Sequence, residues 1–507
     1  MRMKSLLFTL LSLFLTFSGS CSCKGNENPA DAETVPLAVS PTALSFAAST
    51  GSQSLTVTGT SKPAVVSDAN WCRARTGNFT AHRTEVTVTV EENVGSHSRT
   101  ATLSVVCDGE KVKVDISQAG AVENPDLPVP GNNAAWKIAR KLGLGWNLGN
   151  QMDAHSNGVA GETVWGNPVA TRETFQGLKK KGFTSVRIPV TWLGHIGAAP
   201  EYSLDAVWLE RVAELVGWAR EVGLTVIINI HHDGADSAHW LDIKSAAKDP
   251  ARQAAIVTEI KAVWGQIAER FKQADDGLIF EAFNEIHDGG WGWGENRTDG
   301  GAQYRCLNAW NQAFVDAVRA TGGQNATRYL GIPGYCTNPD LTIGHLTLPE
   351  DSATDRLLIS VHCYDPSDYT LFAKFSEWGH TGAAGRVPDS GEAAIRSTFA
   401  KLHAAYVDKG IPCYLGETGC VNRSTAREKL FQRYYLEYVF KAAKTYGLAP
   451  FLWDNGSERT GYECHGFIHH GTGDYIGDSK AVIDALVKAL FTQDSSYTLE
   501  TVYQHAP

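Results

Sequence analysis

Two glutamates stand where acid–base chemistry could be done: Glu285, in Phe283-Asn284-Glu285, and Glu417, in Leu415-Gly416-Glu417. Each closes a short apolar run. Cleavage of a glycosidic bond needs one carboxyl that is protonated, to release the leaving oxygen, and one carboxylate on the opposite face of a cation-like sugar. Other polar residues close apolar runs in the same way: Asn147 and Asn150, Arg187, His231-His232-Asp233, His362 and Tyr364, and Trp453-Asp454-Asn455. A lone histidine in such a place is more often structural, but a charged or amidic group closing nearly every run is not what a packing surface shows. Glu281 precedes Glu285 by four residues, inside the run, and reads as a buried structural acid.

The runs themselves say what positions these groups. Eight follow one another: Leu142–Leu148, Ser185–Val190, Thr225–Ile230, Leu278–Phe283, Tyr329–Ile332, Leu357–Val361, Cys413–Gly416 and Pro450–Trp453. Between most of them lie segments with helical periodicity, such as Leu204–Val222, Ala251–Phe271, Gln303–Ala320 and Ala393–Val407. Strands alternating with helices imply an α/β domain with a parallel sheet, and eight units imply a closed (β/α)8 TIM barrel over residues 133–507. Catalytic groups of such barrels sit just past the C-terminal ends of the strands. Glu285 and Glu417, at strands four and seven, would then face each other across the mouth. An open doubly wound sheet would want a glycine fingerprint after its first strand; in Gly143-Leu-Gly145-Trp-Asn-Leu148 the third glycine position is Leu148. No H-E-x-x-H helix or other ligand spacing occurs, although His231, His232, Asp233, His465, His469 and His470 are available, so no metal or cofactor is expected.

Residues 35–120 change period. Ser54–Thr58, Glu85–Val90, Thr100–Val106 and Lys111–Ile116 alternate with period two and are rich in β-branched residues, which predicts half-buried strands in a small all-β, immunoglobulin-like sandwich. Residues 121–132 hold three prolines and read as a semi-rigid linker. At the start, Arg2 and Lys4 precede the apolar stretch Leu6–Phe17, too short to span a bilayer, and Ser18-Gly19-Ser20 precede Cys21. Residues 1–20 therefore read as a signal peptide. Small residues before Cys21 resemble a bacterial lipobox, which implies that Cys21 is acylated, with residues 21–34 a lipidated tether. The expectation is a lipid-anchored protein in a bacterial envelope, on the outer membrane facing the exterior. The net charge of −10 argues against a nucleic-acid partner, and a monomer is expected. Ten cysteines are present; Cys72 and Cys107 share the small domain, and their pairing stays open.

The motifs carry a resemblance. Phe283-Asn284-Glu285 and Leu415-Gly416-Glu417-Thr418-Gly419 are similar to the acid/base and nucleophile motifs of glycoside hydrolase family five. So are Arg187-Ile-Pro189, Asn229-Ile-His231-His232-Asp233, His362-Cys-Tyr364 and Trp453-Asp454, all in the family's order. Gly145-Trp-Asn-Leu-Gly149-Asn150 and Trp165-Gly-Asn-Pro168 resemble its subfamily-four type. Leu44-Ser-Phe46, Ala69-Asn-Trp71 and Ile116-Ser-Gln118 resemble the BACON domain, read here as a spacer rather than a sugar binder. The resemblance implies a retaining endo-β-1,4-glucanase with Glu285 as acid/base and Glu417 as nucleophile. It implies Asn147, Arg187, His231, His232, Asn284, His362, Tyr364 and Trp453 around a β-glucan polysaccharide, with His231 and His232 alternative candidates for the one lining the site. Glu285 would need a raised pKa while Glu417 stays ionised. Trp240, Trp291, Trp293 and Trp378 on Gly-rich loops point to a bulky branched chain, xyloglucan, ahead of cellulose-like or mixed-linkage glucans. A non-catalytic polysaccharide-binding protein would also carry an anchor, a sandwich and many tryptophans, but it would not require the two glutamates together with Arg187 and Tyr364.

Overall fold

Short strands whose residues are buried on both faces form the centre of the molecule. The computed structural model describes residues 34–93, 98–120, 133–234, 239–383, 385–388 and 390–507. The expected signal segment, Cys21, all but the last residue of the tether, and the 121–132 linker lie outside the described residues. Among the described residues no helix is long and apolar enough to cross a membrane.

The barrel strands are β1 (Gly145–Asn147), β2 (Ser185–Ile188), β3 (Thr225–Ile228), β4 (Leu278–Glu281), β5 (Leu330–Pro333), β6 (Leu357–His362), β7 (Cys413–Thr418) and β8 (Leu448–Leu452). They pair in sequence order and close through β8 to β1, every pair parallel. A strand covered by helices on one side and filled by barrel side chains on the other has no solvent face, which is why these segments read as continuous apolar runs. The surrounding helices bury one stripe each and are capped locally. In Ala206–Glu221, Trp208, Val212, Leu215, Val216 and Ala219 face inward, and the Asp205 carboxylate accepts from Val207 N. Pro250–Arg270 begins at a proline behind Asp249, and Thr425 with Glu428 forms a capping box for Ala426–Thr445. The first run was read too long: Leu142 ends a helix, Ala134–Leu142, stopped by Gly143.

Along β6 and β7 the register is regular to Val361↔Leu415 and then resumes at His362↔Glu417; on the other edge Leu415↔Pro450 is followed by Thr418↔Leu452. One extra residue on β7 relative to both neighbours is a bulge at Gly416–Glu417, and a bulge re-aims the side chain that follows it.

The N-terminal unit is two four-stranded sheets. One has the order Ala38–Ser40, Gly51–Thr58, Arg83–Val90, Cys72–Thr76, all antiparallel; the other has Ala43–Phe46, Glu110–Gln118, Arg99–Cys107, Ala64–Ser67. In the second sheet Ala43–Phe46 runs parallel to Glu110–Gln118. Leu55, Val57, Val86, Val88, Leu103, Val105, Val114 and Ile116 fill the space between the sheets. Cys72 and Cys107 are both buried and unpaired, as are the other six cysteines of the described residues.

The sandwich is docked on the barrel. Arg386, in the loop after β6, forks onto the Glu91 carboxylate (Nη2–Oε2 2.5 Å, Nη1–Oε1 3.2 Å). Asn70 donates to the carbonyl of Gly382, and Arg99 lies 4.3 Å over the Trp71 ring while reaching the Tyr503 hydroxyl at 3.4 Å. A cleft of about 700 Å³ remains between the two units, lined by Trp71, Arg99, His380 and Tyr503 among others.

Candidate active site

Everything at the barrel mouth is organised by one buried cation. Arg187, on β2, is fully buried. Its Nη1 donates to Glu417 Oε1 at 2.8 Å and to Asn147 Oδ1 at 3.0 Å; Nη2 donates to Glu281 Oε1 at 2.7 Å and to Asn284 Oδ1 at 2.8 Å; Nε donates to Glu281 Oε1 at 3.0 Å. Burial opposes its charge, but the Glu281 and Glu417 carboxylates more than offset that and raise its pKa further, so it stays a cation. A planar fork is what such a junction requires; an ammonium could not hold four acceptors in these directions.

Glu417 sits at the end of β7, with its side chain 7% exposed. Besides Arg187 it receives the Tyr364 hydroxyl on Oε2 at 3.0 Å, and His231 Nε2 stands 3.9 Å from Oε1. Burial and the neighbouring carboxylates push the Tyr364 phenol well up, so it remains a donor. Glu285, just past β4, has fewer partners: His362 Nδ1 at 2.6 Å and Thr337 Oγ1 at 3.5 Å, both on Oε1. His362 stands between the carboxyls, its Nδ1 3.7 Å from Glu417 Oε2, and one oxygen of each carboxyl and the imidazole nitrogen all lie within 4.8 Å of one another.

The protonation order expected from sequence is not that of the empty cleft. Burial pushes Glu417 up, against the pull of His362 and Arg187; Glu285, equally desolvated, is drawn down by its bond to His362. The Coulombic part of that pull needs a charged His362, whereas Arg187 is always charged and, with Tyr364, bonds the Glu417 carboxylate directly, which favours its ionised form.

The other expected residues fall as follows. Asn147 is fully buried and gives its Nδ2 to the carbonyl of Gly416 at 2.9 Å. Asn147 and Arg187, expected around the substrate, turn their polar atoms to Gly416, Glu417, Glu281 and Asn284 beneath the cleft. Asn284 has its Oδ1 fixed by Arg187, which turns its NH2 group away from the cation. His231 is buried, kept neutral by burial and its cationic neighbours, and its ring is parallel to Trp453 at 6.1 Å. His232 is more open, at 24% side-chain exposure, with Nε2 3.5 Å from Asp153 Oδ2. So His231 lies against the Glu417 carboxylate and His232 opens toward His155 and Trp165. Trp453 is half-buried, and its seat depends on Gly149, where a Cβ would come within 2.7 Å of the indole. Trp378, expected on a substrate loop, is fully buried among Tyr434, Tyr435 and Tyr438 and belongs to the core. Trp240 is half-buried and donates to Asp233 Oδ1 at 2.7 Å. Trp291 and Trp293, by contrast, are 59% and 81% exposed.

Three residues at the site are not assigned to it by the sequence, in which His465 reads only as an available metal ligand. His287 is buried under the Trp291 ring, centroids 4.2 Å apart. Thr337 faces Glu285 from a turn in which Cys336 and Thr337 both have positive φ (54° and 45°), a conformation costly for non-glycine residues and tolerated where a site requires it. His465 stands behind Tyr364 at 6.2 Å. Position in the same short runs was the only signal for the first two. Asp153, His231 and His232 also bring ligand-type atoms within 4.8 Å, but Asp153 already accepts from the amides of Asn150 and Gln151 and His231 Nδ1 faces the Asn229 amide. We assign neither cluster to a metal.

Comparison with known proteins agrees with this geometry. The family description "Cellulase (glycosyl hydrolase family 5)" matches residues 150–459, and "BACON: Putative binding domain, N-terminal" matches residues 61–119. A broad-specificity endoglucanase structure from Bacteroides salanitronis is 53% identical, with a TM-score of 0.70 over 73% of this chain and 99% of that one. A Bacteroidetes-affiliated family 5 cellulase linked with a polysaccharide utilization locus is 48% identical, with a TM-score of 0.73 over 74% of this chain and 98% of that one. The xyloglucan-specific endo-β-1,4-glucanase of Bacteroides ovatus is 31% identical over 82% of this chain and 84% of its own length.

Proposed function

This chain belongs to glycosyl hydrolase family 5, and from that premise we propose that it is a retaining endo-β-1,4-glucanase acting on xyloglucan, with Glu285 as acid/base and Glu417 as nucleophile. The observation that carries the reading is the pair of carboxyls with oxygens no more than 4.8 Å apart, His362 between them. Retaining enzymes keep their two carboxyl groups about 5–5.5 Å apart, whereas inverting enzymes need roughly 6.5–9.5 Å to admit a water.

In the first step Glu417 attacks the anomeric carbon while Glu285 gives its proton to the departing glycosidic oxygen. A glycosyl ester forms on Glu417 and the leaving glucan diffuses away. In the second step Glu285, now a carboxylate, takes a proton from water, which attacks the same carbon and frees Glu417. Arg187 and Tyr364 keep the attacking carboxylate ionised and aimed. Asn284 is oriented to bond the 2-hydroxyl of the sugar at the cleavage point, and Trp453 to stack beneath it. The preference for xyloglucan is supported by the Gly289–Gly294 loop, whose exposed Trp291 and Trp293 offer wide apolar faces to a branched chain, and by the likeness to the Bacteroides ovatus enzyme. A second reading, broad β-1,4-glucan specificity, is favoured by the higher identity to the Bacteroides salanitronis enzyme. An envelope-anchored location belongs to the proposal and rests on residues 1–21.

Initial rates on xyloglucan, carboxymethylcellulose and mixed-linkage glucan, for the wild type and Glu417→Ala, test the reading. Xyloglucan should be cut fastest and the variant should be inactive on all three. Equal rates on the three glucans would favour the broad reading, and cleavage by the variant would remove Glu417 from its role.

A further inference from the structure

We propose that Glu281 is a positioning residue for catalysis, sharing the Arg187 cation with Glu417 and so setting the pH window in which the acid/base pair works. The proposal rests on the roles given above to Glu285 and Glu417.

Glu281 is fully buried at the end of β4, on the strand that leads to Glu285. Four neighbouring strands, or the residues just past them, converge on its carboxylate. Arg187 from β2 donates through Nε at 3.0 Å and Nη2 at 2.7 Å; Asn229, just after β3, through Nδ2 at 3.0 Å; Ser360 from β6 through its hydroxyl at 3.0 Å; Tyr414 from β7 through its hydroxyl at 2.5 Å. The fifth side is shaped for it as well: a Cβ on Gly331 of β5 would meet the Tyr414 oxygen at 2.3 Å, so the glycine leaves room for the phenol that holds the acid. Burial opposes ionisation of Glu281, but Arg187, His362 and Tyr414 outweigh it and keep it a carboxylate.

Such a cluster does more than fill a barrel. Buried ion pairs can often be replaced by well-packed apolar residues without loss of stability, so packing alone does not call for it. Here one guanidinium stands between two carboxylates, with Nε and Nη2 turned to Glu281 and Nη1 to Glu417. Glu281 therefore fixes the plane of the fork, and its negative charge offsets part of the positive charge that Glu417 and Glu285 experience. The groups facing Glu417 are Arg187, His231, His362, Tyr364 and Glu285; those facing Glu285 are His362, Thr337 and, nearby, His287. Removing the Glu281 charge leaves the site more positive, which favours the ionised form of both catalytic carboxyls.

Glu281→Gln keeps the size and removes the charge. Both limbs of the kcat/KM–pH profile should move to lower pH, the acid limb further, by on the order of one pH unit for a charge one guanidinium away. Glu281→Asp keeps the charge and misplaces the fork, so its rate should fall with the limbs where they are in the wild type. A folded Glu281→Gln protein with both limbs unmoved would overturn the proposal and leave only a structural role. Should Glu281→Gln not fold, Tyr414→Phe decides. Losing that donor loosens the hold on the Glu281 carboxylate and so changes its share of the Arg187 charge; the acid limb should move, and an unmoved limb overturns the proposal. Labelling the wild type with a 2-deoxy-2-fluoro glycoside separates the premise from the inference. Label on Glu417 with unmoved limbs sinks the Glu281 proposal alone, whereas label elsewhere sinks the catalytic assignment beneath it.

Discussion

His465 should limit how far into acid the barrel survives. Its ring is buried behind Tyr364, and neither ring nitrogen has a hydrogen-bond partner among the described residues. Burial, helped by Arg423, pushes its pKa down from 6.5 to about 3. The sign follows from linkage. Above pH 6.5 the ring is neutral in both folded and unfolded chains and contributes no pH dependence. As pH falls below 6.5 the unfolded chain takes up a proton that the folded one refuses, so stability is lost until about pH 3. At about 1.4 kcal/mol per unit, the loss reaches roughly 3 kcal/mol by pH 4. An unfolding entropy of about 2 cal/mol/K per residue turns this into a fall in Tm of about 4 °C for a barrel of this size. His465→Leu removes the titration at similar volume. Calorimetric melting of both proteins at pH 7 and pH 4, at one scan rate, should show the wild type losing about 4 °C more than the variant. Acid-titrating carboxylates, Glu392 among them, are common to both proteins and cancel in the comparison. Melting temperatures that fall in parallel would refute the reasoning, whatever the absolute stability of the variant.

Tyr364→Phe removes one donor from the Glu417 carboxylate. A hydrogen bond to a charged group contributes about 1.5–3 kcal/mol, so kcat/KM should fall about 10- to 100-fold and its acid limb should move to higher pH; a change under twofold with the limb in place would show that the bond does not matter to catalysis. Cys21→Ala should move the protein from the membrane fraction to the soluble fraction and abolish palmitate labelling, and retention in membranes would refute acylation at that residue.

The barrel could be read from sequence because each strand is buried on both faces and so appears as an uninterrupted apolar run, closed by a polar residue where the mouth begins. The same rule brought Glu285, Glu417, His362 and Tyr364 into view. It failed where backbone geometry decides. The extra residue at Gly416 that aims Glu417 leaves no mark in composition, and Leu142, the last residue of the helix, merges with the β1 run because it and Leu144 are both apolar. It failed also where burial decides. By type Asn147 and Arg187 look like ligand contacts, and the sequence does not show that their polar atoms turn to Gly416, Glu417, Glu281 and Asn284. Trp378 and Trp293 are the same residue type on loops past β6 and β4, one fully buried and the other open; only packing against Tyr434, Tyr435 and Tyr438 tells them apart. Glu281 was recognised as a buried acid, but its tie to Arg187 joins residues far apart in the chain.

The clamp between Glu91 and Arg386 bears on how the two units can move. Arg386 has a side chain only 6% exposed against 28% for Glu91, and parting the two would leave a nearly buried cation without its partner, a costly step. The pair therefore resists turning of the barrel mouth independently of the sandwich beside it. The Ala69–Trp71 turn, tied to Gly382 through Asn70, is held in the same seam and lines the cleft left between the two units.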